Sequence, residues 1–594
     1  MEKHSFRLRK KVIIALIFLI MGFSLTYLSA IGNDIGVIVE PIIYDHADII
    51  QKALNDAART GEPLIFSNPD GHATYKVCRP IVIPDGVTII GNGATIIIDD
   101  ATPVNGKAFT RNITGQSAQS GYFPYNEFAV MSAGMTNGKT TTFKMDGLNF
   151  VLRTTATSTN IPTTLFGVRY VKDVVITNCS FSVYSSVQNT HNAFDAYSDW
   201  NNLTISGCTF NVLTDAPEGG VWIRNHGAAG QSGDALIENC VFNKRSGDEA
   251  LAIWGSSSTK WVKNVTVTNC RFNMDYSQYN NHTHFIGASE YADNIVFSNN
   301  NMRVEKLNQC LFSLSSSKPN GSIYIKGNTV IVDDMLSGVN YLISSGPNTA
   351  AVYVEENSIT VNSSSGLKKN GIYGATLVSG NKFYGNAFAY ITCGVSDVYY
   401  NEVEQCDNGF EYVLNCVGNT LHSVSNLAII PSTTSIANSN KVVIADNNIT
   451  SNPNTECLIY TMPGKAYANI VINNNTITGG RIYTLLTGGS VQMSENVFHI
   501  RTLDNIYTNG KTTLMFNNEF YDSSTGKSLV TSYPPTQYEF CVSVPVGTFV
   551  GLYGRTEYDS AVAGSKNNGD LIGYVKNAAG NAVSSWTKIY SKGA

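Results

Sequence analysis

The chain has 594 residues, long enough for a large core and more than one domain. Only 14% of residues are charged and the net charge is −5, which argues against a nucleic-acid partner, because phosphate neutralisation needs clustered Lys and Arg. Glycine is frequent, with 51 residues, and Asn recurs in runs such as Asn473, Asn474 and Asn475; both favour a fold with many turns.

Arg7, Arg9, Lys10 and Lys11 precede an uncharged apolar stretch over residues 12–31. That order is the pattern of an export signal. Leu28-Ser29-Ala30 offers a cleavage site, and about 20 apolar residues also suffice to span a bilayer. Residues 1–32 are therefore read as a signal peptide or a membrane anchor, with the remainder secreted or at the cell surface. Any membrane association would run through this segment alone.

Residues 47–58 place apolar side chains at helical spacing. Short strand-like runs follow, among them residues 64–66 and 81–96, the latter with turn residues Pro84, Asp85, Gly86, Gly91 and Gly93.

A repeat then dominates the chain. Residues 175–181, 204–210, 236–242 and 266–272 share one pattern: apolar, polar, Asn or Gly, Cys, any residue, Phe. Downstream, Asn takes the Cys position at Asn300, Asn328, Asn357, Asn381, Asn401, Asn419, Asn447, Asn475, Asn496 and Asn518. The interval, roughly 18 to 32 residues, is that of a solenoid. Helical periodicity is absent here. Propeller blades need about 40 residues or more, and a sandwich does not explain one residue type recurring at one turn. Stacked parallel coils do, because equivalent side chains then lie about 4.8 Å apart and form a ladder. The fold class is all-β: a right-handed parallel β-helix with an N-terminal capping helix and a small C-terminal β segment. Eleven cysteines in an exported protein suggest a disulfide framework. The repeat predicts instead that Cys179, Cys208, Cys240 and Cys270 form one file of mostly unbridged thiols.

The open end of such a solenoid exposes core and unpaired edge groups, so residues 47–58 are expected to cover it. A short helix, a Gly turn and the run IPDGVTIIGNGATI at residues 83–96 resemble the beginning of the pectate-lyase-like superfamily of right-handed parallel β-helices. That superfamily includes pectate lyases, polygalacturonases and phage tailspike depolymerases. The resemblance covers residues from about 40 to 530 and implies a lateral groove that handles polysaccharide. It is specific for fold and weak for reaction, since one fold hosts many chemistries.

The strands that follow the long turns, residues 193–197, 220–224, 250–254 and 284–288, align with one another. Alternation places Phe194, Val221, Leu251 and Phe285 inside. Asp195, Tyr197, Trp222, Arg224 and Trp254 then face outward, with Arg169 in the column of Tyr197 one coil earlier. Aromatic faces suit sugar rings, and Arg suits carboxylates through paired hydrogen bonds. The alternative is that Trp222 and Trp254 pack beneath a long loop.

In the turns before these strands, His191, Glu218, Asp248 and His282 fall at equivalent positions. Adjacent members would lie about 5 Å apart and alternate members about 10 Å. Carboxyl groups about 5 Å apart suit a retaining glycosidase, and about 6.5–9.5 Å an inverting one. Glu249, Asp195 and Asp215 add acids nearby, and close acids push their pKa values apart. The alternative is that these carboxylates cap turns or pair with Arg224 and Lys244. Residues 246–253 are similar to the polygalacturonase Gly-Asp-Asp motif, and His282 with Ile286-Gly287 to that family's Gly-His-Gly segment. The resemblance implies Asp248 and Glu249 as the paired acids and His282 as the active-site His. Asn189-Thr190-His191 stands where the family has Asn-Thr-Asp, so that Asp is missing. An extra coil containing Trp222 intervenes, and Arg-Ile-Lys has no match.

No zinc spacing, phosphate loop or nucleophile elbow is present, so no metal or cofactor is expected; Ca²⁺ enters only if the reaction is a lyase. After Asn518 the repeat fades, and Tyr533-Pro534-Pro535 reads as a boundary. The domain reading is thus 33–532 for the β-helix and 533–594 for a cap or assembly segment, with homotrimers as one mode of assembly. The expected function is a polysaccharide-active enzyme, leaning to glycoside hydrolase. Catalytic candidates are Asp248, Glu249, Asp195, Glu218 and His282. Substrate-binding candidates are Tyr197, Trp222, Arg224, Trp254, Arg169 and His191. A polysaccharide lyase, a non-catalytic glycan-binding adhesin and a ligand-free envelope protein remain as alternatives.

Overall fold

The computed structural model describes residues 37–39, 45–99, 129–134, 140–154, 164–185, 192–213, 220–225, 230–245, 249–275, 284–316, 320–346, 350–432, 441–451, most of 457–529, and strands at 549–551, 571–577 and 586–590. The apolar segment at residues 12–31 lies outside them. Among the described residues no helix is long and apolar enough to cross a membrane.

The chain forms a right-handed parallel β-helix in two compact units, Met1–Tyr324 with Asn348–Ala350, and Ile325–Pro347 with Ala351–Ala594. In the first unit each coil lays down three walls. The first wall contains Val221–Asn225 and Leu251–Gly255, the second Gly230–Glu238 and Lys260–Thr268, and the third Val241–Lys244 and Arg271–Met274. Successive coils pair in parallel without slipping on the second and third walls, as in Ile205↔Ile237↔Val267↔Phe297 and Phe181↔Phe210↔Phe242↔Phe272. Register is fixed because a one-residue slip would turn every apolar side chain outward. The interior phenylalanines stack directly, with ring centroids 5.2 Å apart for Phe181–Phe210, 5.1 Å for Phe210–Phe242 and 4.5 Å for Phe242–Phe272.

The repeated turn between the second and third walls explains the Asn-or-Gly position of the sequence pattern. Asn178, Gly207, Asn239 and Asn269 all adopt left-handed backbone, with φ between 53° and 64°, a region that Gly and Asn tolerate best. The next residue then points inward. Cys208, Cys240 and Cys270 each donate to a backbone carbonyl one coil back, Ile176, Ile205 and Ile237, at 3.6 Å. The cysteines form one file, and Cys179, Cys208, Cys240 and Cys270 are unbridged and buried. Contact with Cys208 and burial raise the pKa of Cys179; contact with Cys208 and Cys270, and burial, raise that of Cys240. Thiolate is the reactive species, so native protein at pH 8 should leave Cys179 and Cys240 unlabelled by a thiol-disulfide reagent. Denatured protein should label them fully, and mass mapping of labelled peptides reads the difference.

The file passes to asparagine at Cys270, whose N–H donates to Asn300 Oδ1 at 2.9 Å. In the second unit the Asn positions form a buried ladder. Backbone N and Nδ2 of each donate to Oδ1 of the next, from Asn328–Asn357 through Asn401–Asn419 to Asn496–Asn518.

The expected lid is helix Ala47–Thr60, ended by Gly61 in left-handed conformation. It buries Ile50, Ala53, Leu54 and Ala57. Gln51 acts as a substitute strand edge: its Nε2 donates to Val82 O, and Val82 N donates to its Oε1, both at 2.8 Å. In the C-terminal segment Phe549–Gly551 pairs parallel with Thr512–Phe516, and Leu571–Lys576 and Trp586–Tyr590 add antiparallel strands.

Candidate functional site

The first wall carries the residues singled out in the sequence. Phe194↔Val221↔Leu251 pair and point inward, fully buried. The inward residue on the next coil is Ile286, which pairs with Leu251; the side chain of Phe285 lies outside the described residues. Long turns of unequal length shift the parity by one residue, which alternation within a single strand does not reveal.

The outward neighbours of these residues form a column: Ser132, Gly167, Asp195, Trp222, Ala252 and Gly287. Small residues on either side of Asp195 and Trp222 leave their side chains room. A second column pairs Arg224 with Trp254. Arg169 does not share the register of Tyr197 as the sequence suggested. A bulge falls between Val168 and Arg169, so Arg169 pairs with Ser198 and Tyr197 is the extra residue. The bulge fits against Gly134, where a Cβ would lie 1.6 Å from Arg169 O. Tyr170 beside it holds left-handed backbone, φ 50°, a strained state for a bulky residue that recurs at functional sites.

Despite the bulge, the side chains meet. The Arg224 guanidinium sits 4.3 Å from the Trp222 ring centroid and 4.9 Å from that of Tyr197. Arg169 lies on Tyr197 at 5.5 Å and on Tyr170 at 4.6 Å, and donates to Tyr170 Oη at 2.8 Å. Tyr197 is thus flanked by two cations. Asp195 is outward in register yet 0% exposed. Arg224 Nε donates to its Oδ1 at 3.0 Å and Nη2 to its Oδ2 at 2.5 Å, the two-pronged geometry that makes Arg–carboxylate pairs strong. Trp200, buried at the foot of the wall, donates Nε1 to Arg224 O at 2.9 Å and fixes its backbone.

Trp222 Nε1, Arg169 Nε, Ser132 Oγ, Asn192 Oδ1 and Ser198 Oγ are buried without a hydrogen-bond partner among the described residues. Most buried polar atoms find a partner; of these, Trp222 Nε1 and Arg169 Nε belong to the aromatic–guanidinium stack, where a polar ligand would relieve them, whereas Asn192 shares the inward parity of Phe194. Glu249 is half-buried at the start of the next coil. Gly220 lies against it so closely that a Cβ there would stand 2.1 Å from Glu249 O. Asp248, Glu218, His282, His191 and Asp215 lie outside the described residues. No group of three or more His, Cys, Asp or Glu is placed to hold a metal ion among the described residues.

The second unit holds a cluster that sequence reading missed. Tyr341 and Tyr373 stack with centroids 4.6 Å apart, and Tyr373, Cys393 and Glu411 occupy one column. Burial raises the Glu411 carboxyl, against opposing hydrogen bonds from Cys393 and Tyr412. The only signal was a Tyr-rich stretch, and no motif ties these positions together.

No protein-family model matches the chain, and no curated protein matches it. Among solved structures it is similar to the surface protein and adhesin PfbA of Streptococcus pneumoniae, at 12% identity and TM-score 0.38 over 82% of this chain and 97% of that one. It is also similar to a Family 28 exopolygalacturonase of Yersinia enterocolitica, at 14% identity and TM-score 0.32 over 61% of this chain and 75% of that one. The tailspike protein of E. coli bacteriophage HK620, solved with a pentasaccharide, matches at 11% identity and TM-score 0.33 over 87% of this chain and 78% of that one. With TM-scores below 0.5, none of these superpositions transfers a residue role to this chain.

Proposed function

We propose that the chain binds a polysaccharide along the outward face of the first wall and acts on it, with glycoside hydrolysis as the leading chemistry. The observation that carries this reading is the stack Arg169–Tyr197–Arg224–Trp222 with its unmet buried donors. Aromatic faces take the apolar faces of sugar rings, and indole and guanidinium N–H groups take ring hydroxyls or carboxylates. Trp254 extends the same surface. Asp195 acts by holding Arg224 in place, because both its oxygens are engaged by that guanidinium. Proton transfer would fall to Glu249 with Asp248 and Glu218, one carboxylic acid protonating the glycosidic oxygen and another activating water or attacking carbon, with His282 as the active-site His and His191 as a substrate contact. An extracellular or cell-surface setting is supported by the basic and apolar order of residues 7–31.

A non-catalytic glycan-binding surface protein is the second reading. It is favoured by the commitment of Asp195 to Arg224, which leaves the described wall richer in binding groups than in acids.

Both readings expect Trp222→Ala to weaken retention on the preferred polysaccharide by about tenfold or more, since aromatic stacking contributes about 0.5–1.5 kcal/mol beyond burial of the ring face and about 1.4 kcal/mol is tenfold. The probe is a panel of acidic and neutral polysaccharides. Undiminished binding across that panel removes the groove from consideration. Hydrolysis predicts that Glu249→Gln stops release of new reducing ends while binding persists. Cleavage by that variant at the wild-type rate discards the acid assignment, and unsaturated product ends move it to a lyase.

A further inference from the structure

We propose that the outer face of the third wall of the first unit carries a second saccharide site, selective for an anionic glycan and separate from the first-wall groove. A cavity of about 450 Å³ opens on that face, lined by Leu213, Asn243, Arg245, Arg271, Asn273 and Glu305 among others. The volume lies within the roughly 300–1,000 Å³ range of small-ligand sites.

Its floor is pre-ordered. Asn211, Asn243 and Asn273 occupy one outward column. Asn273 Nδ2 donates to Asn243 Oδ1 and Asn243 Nδ2 to Asn211 Oδ1, each at 2.7 Å. The last oxygen of this ladder, Asn273 Oδ1, accepts Arg271 Nε at 3.0 Å and steadies the guanidinium at the cavity. Such pre-ordering lowers the entropy lost on binding.

The charges then select the ligand. Arg245 and Arg271 are exposed and form no ion pair with any described carboxylate. With Lys244 and Arg303 they give the cavity four cations against the two carboxylates Asp275 and Glu305, in a chain of net charge −5. Glu305 on the same rim is exposed and likewise without an ion pair among the described residues. Guanidinium only donates and carboxylate only accepts, so a ligand that satisfies both carries an anion and hydroxyl donors together. A sugar bearing a carboxylate or sulfate does; a polyphosphate has no donors for Glu305. Leu213 and Tyr184, each 38% exposed, adjoin on this wall, where Leu213 N donates to Val183 O at 3.0 Å, and offer an apolar patch for a ring face.

Calorimetry on the full chain tests this with size-defined oligomers of an unesterified uronic acid, its methyl ester and a sulfated sugar, and with polyphosphate as competitor. Working in a Trp222→Ala background silences the groove. An acidic oligomer should still bind, the ester at least tenfold more weakly. Arg245→Gln with Arg271→Gln should weaken the acidic oligomer at least tenfold, and polyphosphate should not displace it. The tighter of the uronate and sulfated oligomers identifies the anion. Equal affinity in the double-Gln variant, or displacement by polyphosphate, overturns the proposal. Both arginines are exposed, so an unchanged melting temperature separates a lost site from a lost fold. Failure of the groove reading shows up separately, as polysaccharide binding by the double-Gln variant that adding Trp222→Ala leaves undiminished.

Discussion

Arg224→Ala should destabilise the first unit by about 3–5 kcal/mol and abolish glycan retention in the groove. The first effect follows from Asp195, whose carboxylate is 0% exposed and loses its guanidinium partner; stranding one member of a buried pair costs about that much. The second follows from the position of the guanidinium against Trp222 and Tyr197, since its loss removes the filling between two aromatic faces. The two effects separate by a second change. Arg224→Met with Asp195→Asn removes both charges, and replacing a buried pair by neutral groups of similar volume is often close to neutral for stability. That variant should melt near the wild type and still fail to hold glycan. Arg224→Lys keeps the charge but loses the fork and the flat stacking surface, and should fall between. Melting temperature and affinity electrophoresis read the two quantities. Stable, fully binding Arg224→Met/Asp195→Asn protein would show that the stack is only structural.

The sequence made the file of Cys and Asn legible because stacking forces one position of each coil to solve the same problem many times. It concealed whatever depends on how coils of unequal length are phased. The bulge that strands Tyr197 between Arg169 and Ser198 leaves no mark in a local pattern, and neither does the shift that turns Ile286 inward. The pairing of Asp195 with Arg224 spans a full coil and was only one of two readings open to an acid at that position. A second ladder went unread although its signal was present. Asp173, Asn202, Asp234, Asn264 and Asn294 all adopt left-handed backbone. Each stands the same distance before the repeated turn, and Asn202, Asn264 and Asn294 each donate to the side chain one coil back, Asp173, Asp234 and Asn264. Mixed Asp and Asn hid the column that uniform Asn displayed. Buried thiols up to Cys270 and amides from Asn300 onward fill the other turn for a related reason: what the position demands is a small group facing a neighbouring carbonyl, which either supplies.

The Asn ladder of the second unit is where truncation should be felt most sharply. Asn401 is 1% exposed, and its Oδ1 accepts both the backbone N–H of Asn381, at 2.9 Å, and Asn381 Nδ2, at 3.0 Å. Its own Nδ2 donates to Val378 O and Asn419 Oδ1, each at 3.0 Å. Asn401→Ala leaves the Asn381 N–H buried without an acceptor and opens a gap between two coils. Each orphaned group costs about 1–3 kcal/mol, so a loss of about 2–4 kcal/mol is expected. A solenoid adds stability coil by coil, and its unfolding need not be all-or-none, so a single midpoint blurs the result. Hydrogen exchange resolves it. In Asn401→Ala the amide of Asn381 should lose protection well beyond amides several coils away, such as that of Asn475, which has its own acceptor in Asn496 Oδ1 at 2.9 Å. Asn401→Cys, the other occupant of this position, restores bulk and a donor to Val378 O but no strong acceptor for Asn381. It should recover part of the stability and little of the Asn381 protection. Equal loss of protection along the whole unit in both variants would mean that the amide column acts only by filling space and that its hydrogen bonds do not fix the stacking of the coils.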